Sequence, residues 1–276
     1  MGNTAYSLGK TLLRIENVCL EYDGRPVLKN VTAEVRKIAV PGRVQGQVVG
    51  VLGPSGCGKT SLFRIIAGLN PPTSGRVCVN DFDRPVKAGE VGVVAQSYPL
   101  FEHRTVFGNL VLAAKQKEKN SNAARDKVLG FLKEFGLSET ASLYPAQLSG
   151  GQRQRCAIIQ QILCSEHFLL MDEPFSGLDL LMLEKTCELI TTVADMDDLN
   201  TIIVVTHDVT AACSVADHLW LMGRDSDSSG NNKLPGARIV KEYNLIERDL
   251  CWQPGIITTP RFTDFVREVK EEFRRL

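Results

Sequence analysis

Residues 47–60 read QVVGVLGPSGCGKT, and TSLFRIIAGL follows from residue 60 to 69. The apolar run at the start suits a short strand buried on both faces. The run that follows has helical spacing and stops at Gly68 and the Pro71-Pro72 pair. Between them Gly53 to Thr60 match GxxxxGK[ST] in full. Glycines there admit backbone conformations and close approaches that a Cβ blocks. The loop amides and the helix N-terminus can therefore surround a phosphate chain. Gly53, Ser55, Gly56, Cys57, Gly58, Lys59, Thr60 and Ser61 are the candidate phosphate-binding set. Within it Lys59 faces the β- and γ-phosphates, and the Thr60 hydroxyl serves a Mg²⁺ ion. Cys57 stands near Lys59, a neighbour that can lower a thiol pKa; a tolerated small side chain is the plainer reading. The pattern alone specifies a nucleotide phosphate and no particular reaction.

Around this stretch the chain alternates strands and helices. LLRIENVCLEY (12–22) ends at Asp23-Gly24 and VLKNVTAEVRKI (27–38) follows, which predicts a small antiparallel sheet at the N-terminus. RVCVN and EVGVVAQ are strand-like. From about 98 to 165 the pattern is mostly helical, with NLVLAAKQK, AARDKVLGFLKEFG and GGQRQRCAIIQQIL as candidate helices. The apolar strands FLLMD (168–172) and TIIVVTH (201–207) flank the helical DLLMLEKTCELITTVADM. This order predicts an α/β fold: a mostly parallel sheet with helices on both faces, an N-terminal antiparallel β-subdomain and an inserted α-helical subdomain. Residues 1–222 are expected to form the main domain, with the helical subdomain at about 97–165. Residues 223–276 form a C-terminal extension of loop, strand and charged helix, packed on or continuing it. VPGRVQG, before the phosphate strand, has no counterpart in this scheme.

Composition narrows the function classes. Lys+Arg and Asp+Glu each total 32, so the chain has no overall basic footprint for nucleic acid. Eight cysteines stand singly with no CxxC pair, which reads as small thiols in a reducing compartment. The apolar runs fall short of the roughly 20 residues needed to span a bilayer. Work at a membrane would need another chain as anchor.

HFLLMDE (167–173) is a hydrophobic strand ending in two acids. Asp172, at a strand's carboxyl end beside a phosphate loop, is placed to hold Mg²⁺. Glu173 points differently and can polarise the water that attacks a γ-phosphate.

Leu148-Ser149-Gly150-Gly151-Gln152 lies between these motifs, after YPAQ and before RQR. It resembles the LSGGQ signature of the ABC ATPase family, and further elements follow the family order. Gln96 in VVAQSYPLF resembles the Q-loop glutamine, Ser176-Gly-Leu-Asp179 the D-loop, His207 in VVTHD the switch histidine, and Tyr22 in LEYDG the residue that stacks on adenine. The resemblance spans residues 12–222. It implies a P-loop NTPase core that hydrolyses ATP with Mg²⁺, with Glu173, His207, Gln96 and Lys59 as catalytic residues and Thr60, Gln96 and Asp172 around the metal. It also implies a head-to-tail dimer, with a second copy or a paralogue, in which Ser149, Gly150, Gly151, Gln152 and Asp179 serve the nucleotide in trans. DEPFSGLD is similar to importers of nitrate, sulfonates or taurine. The implied partners are transmembrane permease subunits and, through them, a substrate-binding protein, at the cytoplasmic face of the membrane and without nucleic acid. QQIL (160–163) and Ser176-Gly177 depart from the usual importer pattern. A soluble ABC ATPase acting on nucleic acid or the ribosome, and an exporter or lipid-transport ATPase, stay open as alternatives. PLFEHRTVFGNL (99–110) is similar to the stretch forming a transporter's coupling groove, with Leu100, Phe101 and Val106 as its expected apolar floor.

Overall fold

All six residues of strand β3 (Gln47–Leu52) are buried, yet their side chains still alternate. Val49 and Val51 join one hydrophobic cluster, while Val48 joins another on the opposite face. β6 (Phe168–Asp172) behaves alike, with Phe168 and Leu170 on the first face and Leu169 and Met171 on the second. A strand buried on both sides needs apolar residues at every position, which is why these runs lack the polar alternation of β1 (Ser7–Tyr22) and β2 (Arg25–Ala39). The computed structural model describes residues 6–276 except 43, 81, 82, 166, 228, 230, 231, 253 and 254.

The remaining strands are β4 (Ser74–Val79), β5 (Gly92–Val94), β7 (Thr201–Thr206), β8 (His218–Ser226) and β9 (Lys233–Asn244). They form one nine-stranded sheet in the order β4-β1-β2-β9-β8-β3-β7-β6-β5. The five strands from β8 to β5 are parallel. β4, β1 and β2 pair antiparallel, as the alternation and the Asp23-Gly24 turn predict. β9 bridges the two parts, antiparallel to β8 and joined to β2 by the parallel pair Leu28–Ala237.

Helix α1 (Lys59–Ile66) packs Leu62, Phe63 and Ile66 with Val18, Leu20, Leu28 and Val31 of the antiparallel strands. α2 (Val106–Ala114), α3 (Ser121–Glu134) and α4 (Gly150–Cys164) build the helical insert, and α5 (Leu180–Ala194) shares their cluster. α6 (Val209–Val215) and α7 (Pro260–Arg275) form a third cluster with Leu219, Leu221 and Tyr243 of β8 and β9. Residue 222, expected to end the main domain, lies inside β8.

One expectation is corrected. Leu100 and Val106 are buried in the cluster that the helical insert shares with one face of the sheet, and of the three Phe101 alone is exposed, at 45%. They form no shared apolar floor, because the Thr105-capped start of α2 turns Val106 inward. The VPGRVQG stretch, of which residue 43 lies outside the described residues, ties the sheet to the turn after α5. There Gln45 donates to Asp195 at 2.8 Å, and the Gln47 amide donates to the Asn200 carbonyl at 2.9 Å. Residues 228, 230 and 231 of the DSDSSGNN loop likewise lie outside the described residues.

Candidate functional site

Parallel strands bring their carboxyl ends to one edge of a sheet, where loops can gather functional groups. Here that edge collects the Gly53–Thr60 loop after β3, Asp172 and Glu173 after β6, His207 after β7 and Gln96 after β5.

The loop is shaped by its glycines at two points. Gly58 has φ +101°, and a Cβ there would meet Leu28 Cδ2 at 2.9 Å and Val27 Cγ1 at 3.3 Å. Gly53 would drive a Cβ to 2.6 Å from the Met222 carbonyl oxygen and 2.8 Å from Cys57 Sγ. Lys59 is 8% exposed and donates to the carbonyls of Gly53 at 2.6 Å and Pro54 at 3.1 Å, which hold its ammonium across the loop. Ser55, Gly56 and Thr60 are exposed, and Ser61 is half-buried in the first turn of α1. Cys57 is buried, and burial pushes its thiol pKa up despite Lys59. This agrees with the plainer reading of Cys57 as a tolerated small side chain, because desolvation of the thiolate outweighs the nearby positive charge.

The two acids have different surroundings. Asp172 is half-buried, and desolvation together with Glu173 raises its pKa against the opposing pull of Lys59 and Arg64. Glu173 adopts φ +49°, a backbone region costly for a side-chain-bearing residue. Its amide donates to the Val205 carbonyl at 2.8 Å, so the chain is pinned where it leaves the sheet. Its carboxylate accepts from the Thr206 hydroxyl at 2.9 Å and from the His207 amide at 3.4 Å, and His207 Nδ1 lies 2.9 Å from Oε1. Thr206 has no motif of its own; its place beside His207 in VVTHD was the available signal.

Ser149 caps α4 and accepts from the Gln152 amide at 3.3 Å, while Gln152 Oε1 accepts from the Ser149 amide at 2.9 Å. The Gln152 side chain is thus engaged in a capping box, and the first-turn amides of Gly150 and Gly151 have no intrahelical partner by position. Further along α4, Gln154 is 3% exposed and donates to the Pro174 carbonyl at 3.2 Å, linking this helix to the segment after Glu173. The sequence gives no sign of that link. Asp179 caps α5, accepting from the Met182 amide at 2.9 Å. Gln96 is exposed in the turn after β5. Tyr22 is 51% exposed on the β1–β2 hairpin, whose Val27 and Leu28 touch Gly58. Its phenol oxygen accepts from Asn70 Nδ2 at 3.4 Å.

The lone carboxyl at Asp172 and the exposed Thr60 hydroxyl are oxygen donors of the kind Mg²⁺ takes, and the Gly58 backbone leaves a cradle that a Cβ would fill. Those residues fit a nucleotide with its metal. Among the described residues no cluster of three or more His, Cys, Asp or Glu side chains is built to hold a metal unaided. No helix among them is long and apolar enough to cross a membrane.

The family described as ABC transporter matches residues 43–176. A sulfate/thiosulfate import ATP-binding protein of Vibrio vulnificus is 38% identical over 219 residues, covering 77% of this chain and 61% of that protein. A spermidine/putrescine import ATP-binding protein of Thermotoga maritima is 37% identical over 216 residues, covering 75% of this chain and 55% of that one. The chain therefore spans about three fifths of the length of these relatives. They carry sulfate/thiosulfate and spermidine/putrescine names, not those of the nitrate, sulfonate and taurine branch. The cbiO1 protein of Clostridium perfringens, part of the ABC transporter complex cbiONQ, shares the fold with a TM-score of 0.72 at 22% identity, over 97% of each chain. The ATP-binding cassette MJ0796, solved as a dimer with ADP and Pi in a post-hydrolysis state, aligns with a TM-score of 0.67 at 27% identity, over 85% of this chain and 99% of that one.

Proposed function

This chain belongs to the ABC ATPase family, and from that premise we propose that it binds and hydrolyses ATP as the motor subunit of an importer. The observation that carries the hydrolytic part is the Glu173 carboxylate, held by Thr206 and His207 at the sheet edge that also bears the phosphate loop.

The phosphate loop binds the triphosphate through its amides and Lys59, and Tyr22 stacks on the base. Thr60, Gln96 and Asp172 would hold Mg²⁺, which when bound neutralises phosphate charge. Asp172 suits this place because burial and Glu173 already make its negative charge costly. Glu173 accepts a proton from the attacking water or orients it. His207, at the end of the neighbouring strand β7, steadies Glu173 and reaches the γ-phosphate from the same sheet edge. Ser149, Gly150, Gly151, Gln152 and Asp179 stand on α4 and α5, where a second copy or a paralogue can present them to this subunit's nucleotide. The names of the relatives and the dimeric cassette support this reading. Transmembrane permease subunits are the partners, with a substrate-binding protein acting through them, and the chain sits peripherally on the cytoplasmic face.

Glu173→Gln keeps the shape of the site and removes the base. In the presence of ATP the variant is expected to elute as a dimer with turnover reduced at least about 100-fold, within the range general-base catalysis supplies. A variant that stays monomeric and turns over at the wild-type rate sinks the assignment of Glu173.

A further inference from the structure

β8 also reaches the edge that carries the phosphate loop, and its last turn of chain places Arg224 there. The Arg224 guanidinium donates to the carbonyl of Gly56 at 3.4 Å. Among the described residues no carboxylate forms an ion pair with Arg224, whereas its neighbour Asp225 is held by Arg238 at 2.7 Å. The backbone on the other side is held too: a Cβ at Gly223 would lie 2.6 Å from the Leu276 side chain, so the residue just after α7 packs directly against β8 there. Arg224 is thus carried on a strand end fixed from both sides.

Gly56 has φ +74°. A peptide unit next to a glycine is the easiest to flip, since no Cβ opposes rotation. A charged donor on its carbonyl favours one orientation of the 56–57 peptide over the other. We propose that Arg224 is a positioning residue of the phosphate loop, pinning the Gly56–Cys57 peptide so that the loop is pre-shaped for nucleotide. Pre-shaping lowers the ordering cost of binding, so the effect falls on affinity and leaves the chemical step of the bound nucleotide alone. The inference rests on the nucleotide-binding reading above.

Affinity for a fluorescent ATP analogue and steady-state ATPase kinetics test it on the full chain. Arg224→Ala is expected to raise Kd and KM about 3- to 10-fold with kcat within about twofold, the scale of one exposed charge-assisted hydrogen bond. Arg224→Lys, which keeps a cationic donor, recovers most of that loss. A Kd unchanged in Arg224→Ala, while Lys59→Ala loses binding in the same assay, overturns the proposal. A fall in kcat and melting temperature that Lys does not rescue also overturns it, since that marks a merely structural role. Normal binding by Lys59→Ala instead overturns the nucleotide-site reading beneath it.

Discussion

Asp172 ends β6 in surroundings that raise its pKa above the ordinary 3.8, chiefly through burial and then through Glu173. The folded protein then holds this proton more tightly than the unfolded chain does. Stability from this group is present below the ordinary value and lost as pH rises through the raised one. At neutral pH the ionised carboxylate opposes folding, and a metal ion beside it would relieve the cost. Asp172→Asn is therefore expected to raise the melting temperature at pH 7 and to flatten its fall between pH 4 and 7 (about the carboxylate window), while Mg²⁺-dependent ATPase activity drops. A melting temperature lower than wild type across that range would remove this account. His218 illustrates the opposite sign: burial lowers its pKa, so the stability it contributes is present above the ordinary histidine value and lost as pH falls. Neither environment shows in the residue's immediate sequence, because burial is set by strands distant in the chain.

At the scale of elements, α4 joins the Ser149–Gln152 helix start to the segment that follows β6. Its start is closed by the reciprocal Ser149–Gln152 capping box, and its body is tied to the sheet by Gln154 on Pro174 and by Gln161, which accepts from the Val93 amide at 3.1 Å. Arg153 adds a contact to the Tyr98 carbonyl at 3.3 Å and an ion pair with Glu102. Ser149→Ala removes the cap and is expected to cost about 1 kcal/mol, read by urea denaturation, together with a loss of ATPase activity. An unchanged midpoint would mean that the cap does not hold the helix start. The helix and its capping pattern were legible from Ser149 and Gln152, three residues apart. The ties through Gln154, Gln161 and Arg153 were not, since each joins residues far apart in the chain and carries no local pattern.

For the whole molecule, β9 and α7 complete the sheet and its cover. β9 supplies the ladder on β8's free edge and pairs with β2 at Leu28–Ala237. Tyr243, Phe262, Phe265, Val266 and Val269 close the third hydrophobic cluster over α6. A chain cut after residue 222 would expose that apolar surface and an unpaired strand edge, both of which favour aggregation. Such a fragment is expected in the insoluble fraction or without a cooperative melt, whereas the full chain melts cooperatively. A soluble, cooperatively folding 1–222 fragment would show that the C-terminal extension is a separate appendage.

The motifs and the alternation of strands and helices were set locally. A glycine-rich loop between a buried strand and a helix, two acids ending a strand and a Ser-Gly-Gly helix start are each patterns of a few adjacent residues, so these local elements and the α/β class could be read directly. Long-range packing decided the rest. It joined the antiparallel strands to the parallel core through β9, buried Leu100 and Val106, and raised the Cys57 thiol pKa instead of lowering it. It also brought Thr206 and His207 onto Glu173, and Arg224 onto the Gly53–Thr60 loop. Burial, register and charge environment depend on which distant strands become neighbours, and no short window of the chain carries that information.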